Sequence, residues 1–87
     1  MPEICRFHGI VIHMYAREQL EPPHFHVAYG DQNAQIEIES FTVIHGALRG
    51  PQLKRVCLWA QVHQLELLEN WKLCANKRSP NRIPRLP

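Results

Sequence analysis

The segment from Gly30 to Asn33 constrains the fold of this 87-residue chain most, because it separates two runs in which apolar and polar residues alternate. Glycine, aspartate and asparagine favour tight turns. Residues that alternate in polarity along a strand lie on opposite faces of a sheet. We therefore expect a β-hairpin formed by strands 24–29 and 34–39.

The apolar pattern also predicts the register of this hairpin. A turn centred on 30–33 places Val27 opposite Ile36 on one face, which then becomes the core face. A slip of one residue would expose the apolar set, so we exclude it. On the opposite face the same register predicts two cross-strand pairs, His26 with Glu37 and His24 with Glu39.

The remaining chain predicts three more extended segments followed by a helix. Residues 4–7, 10–16 and 41–45 read as extended, and Gly50-Pro51 opens a helical pattern that runs to residue 75. Strands followed by a helix predict an α+β fold of two layers. We expect a mainly antiparallel sheet of three or four strands, covered by one long C-terminal helix.

The length of that helix conflicts with the length of the strands. An unbroken helix from 51 to 75 would span about 37 Å at ~1.5 Å per residue, whereas a strand spans roughly 17–20 Å. We expect a break near Glu69-Asn70, or one helix end that projects beyond the sheet. Residues 1–75 then form a single domain.

Residues 76–87 form a basic, proline-containing tail. It carries four basic residues and no acidic one, whereas the preceding residues carry a small acidic excess. A basic tail can contact phosphates, so nucleic acid is one candidate partner, and a tail docked on the domain is the alternative. No run is long and apolar enough for a membrane span, and no signal peptide is evident, so we expect a cytoplasmic protein.

Pro22-Pro23-His24-Phe25-His26 is the clearest candidate site. Side chains at i and i+2 of a strand share a face, so His24 and His26 can act on one ligand. With Glu37 and Glu39, three interpretations remain open. The four residues are solvated charge pairs, ligands of zinc, iron or manganese, or an acid–base site in which a glutamate tunes a histidine.

The preceding strand extends this face if it lies beside residues 24–29. His13 is then the best additional metal ligand, and Arg17 lies at the rim, where it can stabilise developing phosphate charge. His8, His45 and His63 are weaker candidates. Four further apolar residues lie off the main helical stripe: Leu58, Trp59, Val62 and Leu65. They form either a homodimer surface or a second apolar side that the loop or the tail of the same chain covers.

Three segments together resemble a known bacterial family, the domain of unknown function 4160. They are Ile10-Val11-Ile12-His13-Met14-Tyr15, Pro22-Pro23-His24-Phe25-His26-Val27 with Tyr29-Gly30, and Glu66-Leu67-Leu68-Glu69-Asn70-Trp71. The resemblance covers roughly residues 2–75. It implies a small cytoplasmic protein encoded beside another small protein, in pairs that resemble toxin–antitoxin modules, and it brings no established activity. Residues 17–21 differ from the family pattern, because they lack a histidine that members commonly carry there.

Two classes of function follow. The first is a small bacterial binding or regulatory protein that acts with a partner encoded nearby. The alternative is an enzyme, either a small ribonuclease or a metal-dependent hydrolase, that uses His24 and His26, with Arg17 in the ribonuclease mechanism.

Overall fold

The computed structural model describes residues 3–15 and 21–86, which form a sheet layer and a helix layer. The strands are β1 (Glu3–Phe7), β2 (Ile10–His13), β3 (His24–Tyr29), β4 (Gln32–Glu37) and β5 (Val43–Gly46), and the helices are α1 (Gly50–Val62) and α2 (Gln64–Ala75). Strand order in the sheet follows chain order, and every neighbouring pair is antiparallel. The predicted α+β class is confirmed.

The described residues form five strands rather than three or four. The first two strands are separate because His8 and Gly9 both have positive φ angles, of 50° and 76°. Two consecutive residues of this kind make the tight loop that reverses an antiparallel hairpin. Phe7 therefore pairs directly with Ile10 across the loop, and the two segments form an antiparallel hairpin.

The register predicted for the β3–β4 hairpin is wrong by two residues. The loop contains only Gly30 and Asp31, and Tyr29 pairs with Gln32. Gly30 has φ +58°, the conformation that a two-residue loop with glycine in first position requires. Gln32 therefore joins the strand instead of the turn. A shift of two keeps each residue on its predicted face but changes every partner.

The prediction of one long helix is also wrong, because the structure has two helices. The helical segment does not break near Glu69-Asn70, since both residues lie inside α2. The helical segment breaks at His63, whose φ of −111° and ψ of 23° depart from helical values. α1 and α2 have 13 and 12 residues, so each spans less than about 20 Å and fits the length of the strands. Of the helices in the described part of the chain, none is long and apolar enough to cross a membrane.

Trp59 lies at the centre of the core, so for this residue the chain's own C-terminal segment provides the cover and the homodimer surface is wrong. Its side chain is 0% exposed, and its ring lies 5.9 Å from the rings of both Phe7 and Phe25. The indole Nε1–H donates to the carbonyl of Pro84 at 2.9 Å. The other three residues of that predicted surface are exposed, at 48%, 68% and 78%: Leu58, Val62 and Leu65.

The C-terminal segment after α2 has no helix or strand up to residue 86, yet it packs against the domain. Ile83 is buried in the core, and its N–H donates to the carbonyl of Ile4 at 2.8 Å. The buried side chain of Asn70 donates to the carbonyl of Asn81 at 2.8 Å and accepts from its N–H at 2.9 Å. The segment therefore covers the core beside β1, and the buried asparagine of α2 holds it there.

Replacement of Asn70 by alanine is expected to lower the free energy of unfolding by about 2 kcal/mol or more, because two hydrogen bonds are lost and a cavity remains. Asn76→Ala is a matched control, since the Asn76 amide is exposed and donates only to the Lys72 carbonyl. We expect it to cost about 0.5 kcal/mol or less. Urea unfolding of both variants tests this, and equal losses would contradict the role of Asn70.

Candidate functional site

The face of the sheet opposite the helices carries a row of polar residues, one from each strand. Glu3, His13, His26, Gln35 and His45 stand opposite one another in cross-strand register, in that order. We call this set the outer row. It confirms that His13 shares a face with His26, and it adds two residues from β4 and β5.

A cleft of about 310 Å³ lies along the outer row. Its lining includes His13, Tyr15, His26, Ala28, Asn33, Gln35, His45 and Gly46. Ala28 follows His26 by two residues on β3 and leaves space because its side chain is a single methyl group. Among the described residues that line the cleft, none carries a carboxylate, an amine or a guanidinium.

The edge of the cleft at β5 depends on a close backbone approach. Gly46 has φ +75°, and a Cβ built on it would lie 2.1 Å from the carbonyl oxygen of Asn33. That same carbonyl accepts a hydrogen bond from Ala47 N–H at 3.0 Å. Only glycine allows β5 to pass this near to β4, so Gly46 sets the position of His45 beside the cleft.

Gln35 supplies an acceptor without a partner in the cleft. Its Oε1 atom is buried and makes no hydrogen bond within the described part of the protein. A buried acceptor that is left unpaired costs roughly 1–3 kcal/mol. A ligand that donates a hydrogen bond to Oε1 would remove this cost, so the atom marks a position where a donor group is favoured.

Aromatic rings line the β2–β3 side of the cleft. The rings of Tyr15 and His26 meet edge to face, with centroids 4.5 Å apart and an interplanar angle of 84°. The ring of His13 is nearly parallel to that of Tyr15, with centroids 6.1 Å apart. Such a surface suits planar ligands, because aromatic rings favour edge-to-face and offset stacked contacts.

His24 shares this face with His26, as predicted, but it is completely buried. The two imidazole centroids are 5.2 Å apart, and the other side of His24 contacts Trp71 of α2 at 5.2 Å. Nδ1–H donates to the carbonyl of Pro22 at 2.8 Å, since a carbonyl oxygen can only accept. Nε2 lies 3.7 Å from Glu21 Oε2. His24 therefore anchors the loop before β3, and His26 is the member of the pair that lines the cleft.

The two glutamates do not form the predicted pairs. Glu37 stands opposite His24 instead of His26, and its carboxylate accepts a hydrogen bond from the Ser40 hydroxyl. Glu39 lies beyond the end of β4 in an exposed turn. Arg17 lies outside the described residues. Within residues 3–15 and 21–86, no group of three or more histidine, cysteine, aspartate or glutamate side chains is arranged to hold a metal ion.

Charges at the β1 end of the outer row are paired with one another. Glu3 contacts Arg6 at 2.8 Å and Arg82 at 3.1 Å, and the hydrogen bond from Arg6 is the main cause that lowers the pKa of Glu3 to about 2. Burial lowers the pKa of His13, and Glu3 opposes this effect while His26 adds to it. His13 is therefore neutral at pH 7.

Sequence reasoning missed Gln35 and gave His45 little weight. Gln35 already lay in the alternating pattern of its strand, and the correct turn length would have placed it opposite His26. The position of His45 depends on a register shift between Gln35 and Ile36. No local pattern in the sequence indicates that shift.

Fold and site together define a small α+β domain whose outer sheet face carries a row of histidines. A family model for DUF4160, described as a domain of unknown function, matches residues 9–72. The chain belongs to this family, which confirms the family expected from its motifs. No curated protein and no solved structure matches the chain. The matched range contains β2 to β5 and thus every residue named above as lining the cleft.

Stability is expected to fall between pH 7 and pH 5, in part because of His13. Its folded-state pKa lies below the unfolded value of about 6.5, so the unfolded chain takes up the proton first as the pH falls. His13→Gln should reduce the loss of unfolding free energy over this range. Titration of the His13 ring by NMR gives the direct measurement, and a pKa at or above 6.5 would contradict the effect of burial.

Gly46→Ala should lower the free energy of unfolding by about 2 kcal/mol or more, because a positive φ is strained for alanine and the new methyl group meets backbone. Gly30→Ala is the control. Gly30 also has a positive φ, but a Cβ there meets nothing within 4 Å, so about 1 kcal/mol is expected. Chemical denaturation gives the free energy of unfolding of both variants. If Gly46→Ala loses no more of it than Gly30→Ala does, the close approach of Gly46 to the Asn33 carbonyl is refuted.

Proposed function

We propose that this protein is a small binding protein that takes up a ligand in the cleft on its outer sheet face. The observation that carries the proposal is the unpaired, buried Oε1 atom of Gln35, a residue that lines the cleft. Proteins seldom leave such an acceptor unpaired, and sites for ligands are one place where they do so. A bound donor would satisfy the atom.

The burial and the positions of the predicted catalytic residues favour a binding function over a catalytic one. His24 has no exposed surface, and the carbonyl of Pro22 already accepts from its Nδ1–H. Glu37 and Glu39 do not line the cleft. The predicted acid–base pairs of histidine and glutamate would therefore need a different arrangement to reach a substrate there.

One observation supports the alternative, a small ribonuclease. His13, which is neutral at pH 7, stands directly opposite His26 on the same cleft wall. A neutral imidazole can accept a proton and a protonated one can donate it, which is the division of labour in general acid–base cleavage of RNA. In this alternative His13 and His26 act on the substrate, and His24 holds the loop that precedes β3.

The family resemblance adds a regulatory role to the proposal, in which the protein acts with a small partner encoded nearby. Leu58, Val62 and Leu65 are exposed apolar side chains on the helices, away from the cleft. The proposal therefore separates a ligand face on the sheet from the helix layer on the other side.

Binding can be tested with four probes of different chemistry: adenosine, glucose, glutamate and spermidine. We expect one of them to cause saturable NMR shifts at the backbone amides of Ala28, Gln35 and Gly46. Gln35→Leu should weaken the binding that these shifts report by about tenfold. If none of the four probes perturbs the cleft at millimolar concentration, the binding proposal fails.

Gln52→Leu is the matched control, because Gln52 Oε1 is also buried without a partner yet does not line the cleft. It should leave probe binding unchanged.

Incubation with end-labelled single-stranded RNA distinguishes the ribonuclease alternative from the binding function. Cleavage by the wild type that disappears in His13→Ala and in His26→Ala would favour the ribonuclease, whereas intact RNA would favour the binding protein.

A further inference from the structure

We propose that the ligand of the cleft is a nucleobase that carries an exocyclic amino group, with adenine as the representative case. This inference rests on the proposed binding function and names the chemical class of the ligand. It combines three observations about the described residues of the cleft: an unpaired acceptor, a wall of aromatic rings and a lining without a carboxylate, an amine or a guanidinium.

The acceptor sets the first requirement, which is a donor N–H or O–H on the ligand. A glutamine side chain is the common partner of adenine, since the amide oxygen accepts from the N6 amine while the amide nitrogen donates to N7. Gln35 presents the oxygen half of this pair. Cytosine offers an equivalent amine at N4.

The ring wall sets the second requirement, which is a planar ligand. Tyr15 and His13 lie nearly parallel, and His26 meets Tyr15 edge to face. Sheet faces that carry aromatic rings on adjacent strands are surfaces on which unpaired bases stack. Ala28 leaves space next to His26 for the edge of such a ring.

The absence of charged groups from the described lining sets the third requirement. A phosphate or a carboxylate would meet no lysine or arginine among these residues, and a polyamine would meet no carboxylate. Burial lowers the pKa of His13, which favours its neutral form. A neutral heteroaromatic ring meets all three requirements, and about 310 Å³ is sufficient for a base with part of its ribose.

The test compares adenosine with purine riboside, which has the same ring and sugar but no amine. We expect purine riboside to bind at least about tenfold more weakly to the wild-type protein, the effect of a lost hydrogen bond to a buried acceptor. Because this comparison uses the unaltered chain, a folding defect cannot mimic the result. Gln35→Leu should weaken the binding of adenosine by a similar factor and remove the difference in affinity between the two nucleosides. Gln52→Leu should retain both the affinity for adenosine and that difference.

The outcomes separate this inference from the proposed function. If glucose, glutamate or spermidine binds in the cleft and adenosine does not, the proposal of a nucleobase ligand is wrong and the proposed binding function stands. If adenosine and purine riboside bind equally, the role of the amine is overturned. If no probe binds, both proposals fall.

An oligoadenylate of eight nucleotides identifies the source of the base. Affinity that exceeds that of adenosine by tenfold or more, and that falls as salt rises, indicates a single-stranded nucleic acid. Equal affinity indicates a free nucleoside. Either result supports recognition of the base, provided that Gln35→Leu weakens it.

Discussion

The two-residue turn at Gly30-Asp31 is the constraint on which the outer face depends. Because glycine adopts φ +58° there, the hairpin closes without a longer loop, and this closure decides which side chains of β3 and β4 stand opposite each other. It places an amide opposite His26 where a longer loop would have placed a carboxylate. Among the described residues of the cleft, an amide therefore stands where a carboxylate would otherwise lie, because of a backbone conformation outside the cleft.

The sequence predicted the faces of the strands better than their partners. Alternation of apolar residues assigned Phe25 and Val27 to the core and His26 to the outer face, since a shift of one residue has a large energetic cost. A shift of two residues exposes no apolar side chain, so the pattern cannot detect it. The pairing of His26 with Gln35 required the turn conformation, which depends on φ angles and not on polarity.

The helix layer shows a second limit of local patterns. Asn70 resembles a helix breaker by composition, yet its buried amide is matched by the backbone of Asn81, eleven residues later. His63 is not a residue type that typically ends a helix, yet the first helix ends there. Each of the two shorter helices then fits the length of the strands. Trp59 was a candidate for a homodimer surface because it lies off the main helical stripe, whereas the C-terminal segment covers it. For Asn70 and Trp59, contacts with residues that are distant in sequence decided the outcome.

The bond from the Trp59 indole to the carbonyl of Pro84 also concerns how the chain acquires its structure during synthesis. The strands and both helices are made before the residues that complete the surroundings of the central tryptophan. Until those residues arrive, the indole N–H lacks its acceptor, and the gap that Ile83 fills stays open to water. Closure of this core is therefore an event that follows the synthesis of both helices, although every strand is complete long before.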